Sequence, residues 1–318
     1  MTLPHSLQTA VDELTGRIGS RELERSARSL SDAYRAGGSP AMRAARTEVE
    51  VAAYLATRAP ATYAAAAEVF HQIRAARRDW APTSVLDLGS GPGIASWAAL
   101  ETWPGIGTVT LVEVEPEMVR AGKALAGSGL ESLRTASWNV GDAGSATSPA
   151  DLVVASYMVG ELDPGALEAF VRTAWAKTSD TLVVVEPGTT AGYERILAAR
   201  AAVIASGGST LAPCPHDAPC PLPQGDWCHV ATRLPRSRTH RSAKGAERGF
   251  EDEKFSYVAL CRSLQPRPSE RIIRRPDLRP GHVVIDLCTS SGLEQRTVSR
   301  RQGDEYRRAR KASWGDAL

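Results

Sequence analysis

After Pro82 the chain repeats one device four times: a short apolar run that closes on a turn, followed by a polar or helix-like stretch. The runs are "SVLDLGSGPG", "TVTLVEVEP", "ADLVVASYMVG" and "DTLVVVEPG", and "PEMVRAGKALAG" and "PGALEAFVRTAWAK" lie between them. Strands that are apolar throughout must be covered on both faces, and their alternation with helices predicts a parallel, doubly wound α/β core. Ahead of it, residues 1–80 carry Ala, Leu and Val at helical spacing among Arg and Glu, interrupted by "AGGSP" at 36–40 and again near Pro60. That stretch reads as several helices.

With 318 residues the chain can bury a real core without staples. The net charge is only +2, but from His229 onward 20 Arg and Lys face 11 Asp and Glu, so this third is +9 and the rest about −7 by difference. A basic C-terminal third is a modest nucleic-acid signal beside the plainer reading of a solvated surface. The opening residues lack a basic start followed by an apolar core, and no stretch approaches the length of a membrane span. A cytoplasmic, membrane-free protein is therefore expected, and in a reducing compartment cysteines gather for metals or catalysis more often than for disulfides.

In "VLDLGSGPG", Asp87 ends the first strand, and Gly89, Gly91 and Gly93 open the next helix. Glycines there let backbone approach a ligand, and the helix N-terminus adds donors. The spacing G-x-G-x-G differs from the dinucleotide fingerprint. Glu113 ends the second strand, where a carboxylate can accept from both ribose hydroxyls. Asp142 in "NVGDA" can meet an adenine amino group, and Asp87 can orient the loop or face an ammonium group. Together these features resemble the class I S-adenosylmethionine-dependent methyltransferases.

The catalytic side is less marked. "ASYMVGELDP" lacks the Asn/Asp-Pro-Pro-Tyr/Phe motif of enzymes acting on exocyclic amines, and no cysteine precedes position 214, so no thiolate nucleophile sits in the sheet. The catalytic residues are left unknown. Glu161 can serve as a base or bind an amine, but capping the helix that begins near Pro164 is the favoured reading.

"PCPHDAPCPLPQGDWCH", residues 213–229, holds three of the five cysteines in a segment too rich in proline for helix or strand. A metal centre would order so stiff a loop. Cys214, Cys220 and Cys228 need a fourth ligand, with Cys288, Cys261, His216 and His229 as candidates. Cys261, inside "YVALCR", reads as an inert buried thiol. Paired short-spaced zinc ligands are absent, and Pro follows both Cys214 and Cys220, a habit of cluster-ligating cysteines. Iron–sulfur, zinc and no metal all stay open on spacing alone.

Four motifs in order, "AYLATRAPATYAA", "VLDLGSGPGIASWAA", "CPHDAPCPL...DWCH" and "EDEKFSYVAL", resemble the methyltransferase-like small-ribosomal-subunit family from about residue 50 to "WGD" at 314–316. The resemblance implies a Rossmann-like class I methyltransferase sheet, with a helical N-terminal region (1–80), the core (81–260) with a Cys-rich insertion at about 208–250, and a C-terminal β-hairpin and basic tail (261–318). It further implies S-adenosylmethionine at Asp87, Gly89, Gly91, Gly93, Glu113 and Asp142, and a 4Fe-4S cluster on Cys214, Cys220, Cys228 and Cys288, with zinc as the alternative. The expected partner is the small ribosomal subunit or its rRNA, met by a protein that is monomeric off the ribosome. Methylation of rRNA, a non-enzymatic assembly role with a structural cluster, and a zinc-stapled small-molecule methyltransferase are the competing functions. On this reading Arg233, Arg236, Arg238, Arg241, Lys244 and Arg248, directly after the third cysteine, form a basic arm for phosphate.

Overall fold

The computed structural model describes residues 1–36, 45–145, 148–163, 165–245 and 247–317. From the N-terminus run helices α1 (His5–Thr15), α2 (Ser20–Ala36), α3 (Glu48–Thr57) and α4 (Ala59–Ala76). Most of the predicted "AGGSP" break falls outside the described residues. Thr47 and Glu50 form a reciprocal capping box that starts α3. Pro60 is compatible with the first turn of α4, where its missing N–H is not needed, so it separates α3 from α4 rather than breaking a helix. Helix α4 is rich in alanine and buried nearly all round, because it packs between the N-terminal helices, the next helix and the sheet.

The core continues β1 (Ser84–Leu88), α5 (Ile94–Thr102), β2 (Thr108–Glu113), α6 (Pro116–Ala126), α7 (Glu131–Arg134), β3 (Ser137–Val140), β4 (Ala150–Ser156), α8 (Leu167–Ala176), β5 (Thr178–Pro187) and α9 (Thr190–Ala205). Then follow β6 (Ser209–Ala212), β7 (Val230–Pro235), α10 (Arg238–Lys244) and β8 (Phe250–Cys261). Strand order is β3-β2-β1-β4-β5-β8-β6, with β7 also paired to β8. The first five strands are parallel, while β8 runs antiparallel to β5, β6 and β7. The expected all-parallel sheet is therefore a mixed one: returning the chain beside β5 after the long 188–249 excursion reverses the strand.

Alternate strand residues feed two cores. Val85, Leu152, Val154, Val183 and Tyr257 face the N-terminal helices, and Leu86, Val153, Leu182, Val184 and Val258 face α8 and α9. Strand β8 is long enough to carry β6 on its last residues and β7 on its first, both along its outer edge. The cysteine segment is the connection between those two strands, so it emerges opposite the gap they leave. The polar stretch 230–254, which shows no periodicity in sequence, folds as β7, α10 and the first half of β8.

The C-terminal unit is larger than a hairpin. Strands β9 (Glu270–Ile272), β10 (Asp277–Arg279), β11 (His282–Thr289) and β12 (Gly292–Ser299) make a second antiparallel sheet, and α11 (Asp304–Lys311) packs on it. Its core of Ile272, Val283, Ile285, Leu287, Val298, Tyr306 and Ala309 is separate from the other two. Among the described residues no helix is long and apolar enough to cross a membrane.

Candidate functional site

A cleft of about 560 Å³ opens at the carboxyl ends of the parallel strands. The glycine loop, β2's end, the turns after β3 and β4, and the N-terminal helices line it. Gly89 and Gly91 face it with φ of 64° and 52°, and a Cβ on Gly89 would stand 2.7 Å from Cβ of Met158, so only glycine fits. Glu113 lines the same cleft, accepting from the backbone N–H of Gly91 (2.7 Å) and of Glu115 (3.0 Å). A carboxylate has about four acceptor positions, so capacity for ribose hydroxyls remains. Burial pushes its carboxyl above the usual range.

Asp142 also lines the cleft, its Oδ1 accepting from Gly144 N–H at 2.9 Å. Asp87 and Gly93 are not part of the wall. Buried beneath the loop, Asp87 accepts from the N–H and hydroxyl of Ser96, tying the first turn of α5 to β1. Burial lifts it to about 7, against the two Ser96 hydrogen bonds. Gly93 caps α5 in a left-handed conformation, φ 79°, against Leu111 and Trp138.

Besides Glu161, the cleft wall contains residues to which the sequence gave no individual role. Tyr157, the first residue after β4, has φ of 59°, a strained conformation for an aromatic residue, and its hydroxyl donates to Glu253 on β8 at 2.8 Å. Tyr54, Arg58 and Thr62, from α3, α4 and their junction, form part of the opposite wall. Glu161 lines the cleft in a short 3-10 turn, Val159–Glu161, rather than capping α8, whose N-cap is Ala166. Tyr157 was hidden in an apolar run; Arg58 and Glu253 lie inside the motifs "AYLATRAPATYAA" and "EDEKFSYVAL", but nothing local marks either residue singly.

A second, narrow cavity of about 50 Å³ lies at the outer edge of β8. Cys214, Cys220 and Cys228 line it together with Cys288 from β11, against Phe255, Ser256 and Tyr257. The loop is held there by Ser256 Oγ–H donating to the Cys228 carbonyl (2.8 Å), Trp227 Nε1–H to the Gly188 carbonyl (3.0 Å) and Tyr193 hydroxyl to Cys220 Sγ (3.0 Å). Two buried arginines complete the cradle: Arg200 donates to the carbonyls of His216 and Ala218, and Arg271 to those of Pro213 and Gly315 and to Gln72. Carbonyls and amides do not neutralise a guanidinium, so both charges stay beside the sulfurs.

Burial first, then the neighbouring thiols, pushes Cys228 and Cys288 up to about 12; burial raises Cys214, with Arg200 opposing. Of the other candidate ligands, Cys261 is buried in β8 beside Ser209, away from the cavity. His216 places Nε2 3.6 Å from Cys288 Sγ, and His229 is flanked by the rings of Trp227 and Trp314. Among the described residues no three His, Cys, Asp or Glu side chains stand close enough to hold a single metal ion.

Half of the expected basic arm is neutralised. Arg233 pairs with Asp252, and Arg236 and Lys244 both pair with Glu251, all across the β7–β8 region. Arg238, Arg241 and Arg248 are left exposed.

Sheet order, glycine loop and the acidic end of β2 define a Rossmann-like, methyltransferase-like α/β protein. A family model described as mitochondrial small ribosomal subunit Rsm22 matches residues 48–318, and the chain belongs to that family. It is 33% identical over 286 residues to the human ribosome assembly protein METTL17, mitochondrial, covering 83% of this chain and 61% of that protein. The Rsm22-cox11 tandem protein 2, mitochondrial, of Schizosaccharomyces pombe is 26% identical, over 85% of this chain and 43% of that one. This chain thus spans less than two thirds of these relatives. Similar solved structures include magnesium protoporphyrin IX methyltransferase of Synechocystis with bound SAH (13% identical, 64% of this chain and 84% of that, TM-score 0.44). Another is precorrin-6y C5,15-methyltransferase of Geobacter metallireducens (16%, 61% and 86%, TM-score 0.40). The family description and the named relatives are mitochondrial, which overturns the cytoplasmic expectation. That expectation rested on the lack of a secretory pattern and of an apolar span, and neither lack carries an address.

Proposed function

We propose that this chain is an S-adenosylmethionine-binding, iron–sulfur protein that serves assembly of the small ribosomal subunit and contacts its rRNA, monomeric when off the ribosome. The observation that carries the reading is the meeting of Cys288, from the C-terminal sheet, with the three cysteines of 213–229 in one cavity flanked by buried Arg200 and Arg271. Three thiols that resist ionisation alone, Cys214, Cys228 and Cys288, together with Cys220 and beside two buried cations, suit a centre that shares thiolate charge. A polynuclear cluster takes one thiolate per iron, so its ligands lie further apart than those around one ion. Cys214, Cys220, Cys228 and Cys288 would hold it, and it would supply order to the loop between β6 and β7.

In the cleft, Gly89 and Gly91 would admit the cofactor against backbone, Glu113 would accept from its ribose and Asp142 would face its adenine, while Asp87 holds the loop from beneath. One observation favours methyl transfer as a second reading: Tyr157 is strained at the deep end of the cleft, and such strain concentrates at active sites. Transfer from a sulfonium needs chiefly in-line positioning, so a missing general base is no obstacle.

The test is iron, acid-labile sulfide and zinc per chain in anaerobically purified protein, with rescue of a deletion strain. About four iron and four sulfide, lost in Cys288→Ser, is the expected result; stoichiometric zinc without sulfide sinks the cluster. Failure of Cys220→Ser to rescue, with full rescue by Glu113→Ala, selects the non-enzymatic assembly role. Loss of rescue in both, with cofactor turnover on immature small subunits, selects methyl transfer.

A further inference from the structure

The C-terminal unit sorts its cations into two sets. Arg271 is buried, Arg274 pairs with Asp226, Arg279 with Asp277, Arg296 with Glu270 and Glu294, and Arg307 with Asp304. Arg275, Arg300, Arg301, Arg308, Arg310 and Lys311 are exposed and, among the described residues, make no ion pair; Arg310 lies against the Tyr306 ring and hydroxyl. Five of these six fall within the turn Arg300–Gln302 and helix α11.

The fold fixes where this charge points. Tyr306 and Ala309 bury one face of α11 on the sheet, so Arg307, Arg308, Arg310 and Lys311, with Asp304 and Glu305 in the first turn, cover the remainder. Cations in the last turn complement the helix dipole, but Arg300 and Arg301 precede the N-terminus, where positive charge is disfavoured. Lys311 also stands one turn from Arg307 and Arg308, a like-charge arrangement that costs an isolated helix stability. The concentration therefore exceeds what the helix itself uses.

From this the geometry points to the 300–311 surface as a phosphate-contacting face for RNA, rather than the arm after the third cysteine. The inference rests on the proposed small-subunit role for its partner. Guanidinium forks match phosphate oxygens, and the patch has no exposed large apolar residue with which to enter a bilayer. Contacts of this kind position the protein and carry no sequence information.

The experiment measures binding of the full chain to a small-subunit rRNA transcript across a potassium chloride series. It compares wild type with Arg308→Glu/Lys311→Glu, Arg300→Glu/Arg301→Glu and, as a reference pair, Arg238→Glu/Arg241→Glu. Because all these side chains are exposed, circular dichroism and melting should be unchanged. Each 300–311 pair is expected to weaken binding about tenfold or more and to flatten the log–log salt slope by about 1.4 to 1.8, two contacts' worth; the reference pair should change it less. Wild-type binding with an unchanged slope in both 300–311 variants overturns the inference and leaves the small-subunit role standing. No wild-type binding to rRNA or to small-subunit precursors at low salt overturns both. Binding to anionic vesicles in place of RNA assigns the face to a membrane and also overturns it.

Discussion

Asp87 and Glu186 are two buried carboxyls that the fold keeps from ionising easily. Burial lifts each to about 7, with Ser96 opposing at Asp87 and Arg195 opposing at Glu186. A carboxyl whose folded value is raised stabilises the fold while protonated, so stability should fall as pH rises from about 4 through about 7. Thermal melts across that window should show the decline, and Asp87→Asn, which keeps an oxygen for Ser96, should make it shallower; an unchanged profile would count against Asp87 as a source. Gly89 is the other telling residue. Gly89→Ala meets Met158 at 2.7 Å in a left-handed backbone that costs a non-glycine residue about 1–2 kcal/mol, so melting should drop by a few degrees and calorimetric cofactor binding should be lost.

Among elements, the loop between β6 and β7 shows how an irregular segment can be fixed without secondary structure. Its order comes from Tyr193 and Arg200 on α9, Ser256 on β8 and Arg271 on β9, which reach in, and from its own Trp227, which reaches out to Gly188. Arg271→Met should cost about 3 kcal/mol or more in urea unfolding, because it strips a donor from Pro213, Gly315 and Gln72 at about 1–3 kcal/mol per unsatisfied group. Faster amide exchange over 213–229 should accompany it. By contrast, Arg296→Ala removes a part-exposed pair with Glu270 and Glu294 and should cost about 1 kcal/mol or less. Equal losses in the two variants would show that the Arg271 cradle contributes nothing special.

At the scale of the molecule, the long sheet carries the glycine-loop cleft at the ends of its parallel strands and the cysteine cavity on its antiparallel edge. The β5–β8 ladder joins the two halves, and the Tyr157 hydroxyl adds a hydrogen bond to Glu253 across them. If the proposed cluster is present, its anaerobic removal should lower melting and open exchange in 213–229, while β1 to β5, buried between two cores, keep their protection. Uniform loss of protection would make the cysteine cavity a keystone of the whole sheet. The strand–helix alternation, the glycine loop with Glu113 and the cysteine segment were legible in the sequence because they are local: apolar period, left-handed glycines and proline density each act over a few residues. The same local reasoning took the whole basic arm as available for phosphate and left Tyr157 unmarked. Those depend on long-range partners: Arg236 and Lys244 on Glu251, and Tyr157 on a carboxylate 96 residues away. Sequence determined which segments would be strand, turn and thiol-bearing loop; only the tertiary structure decided which charges cancel and which cysteines share a cavity, because burial and ion pairing are set by neighbours distant along the chain.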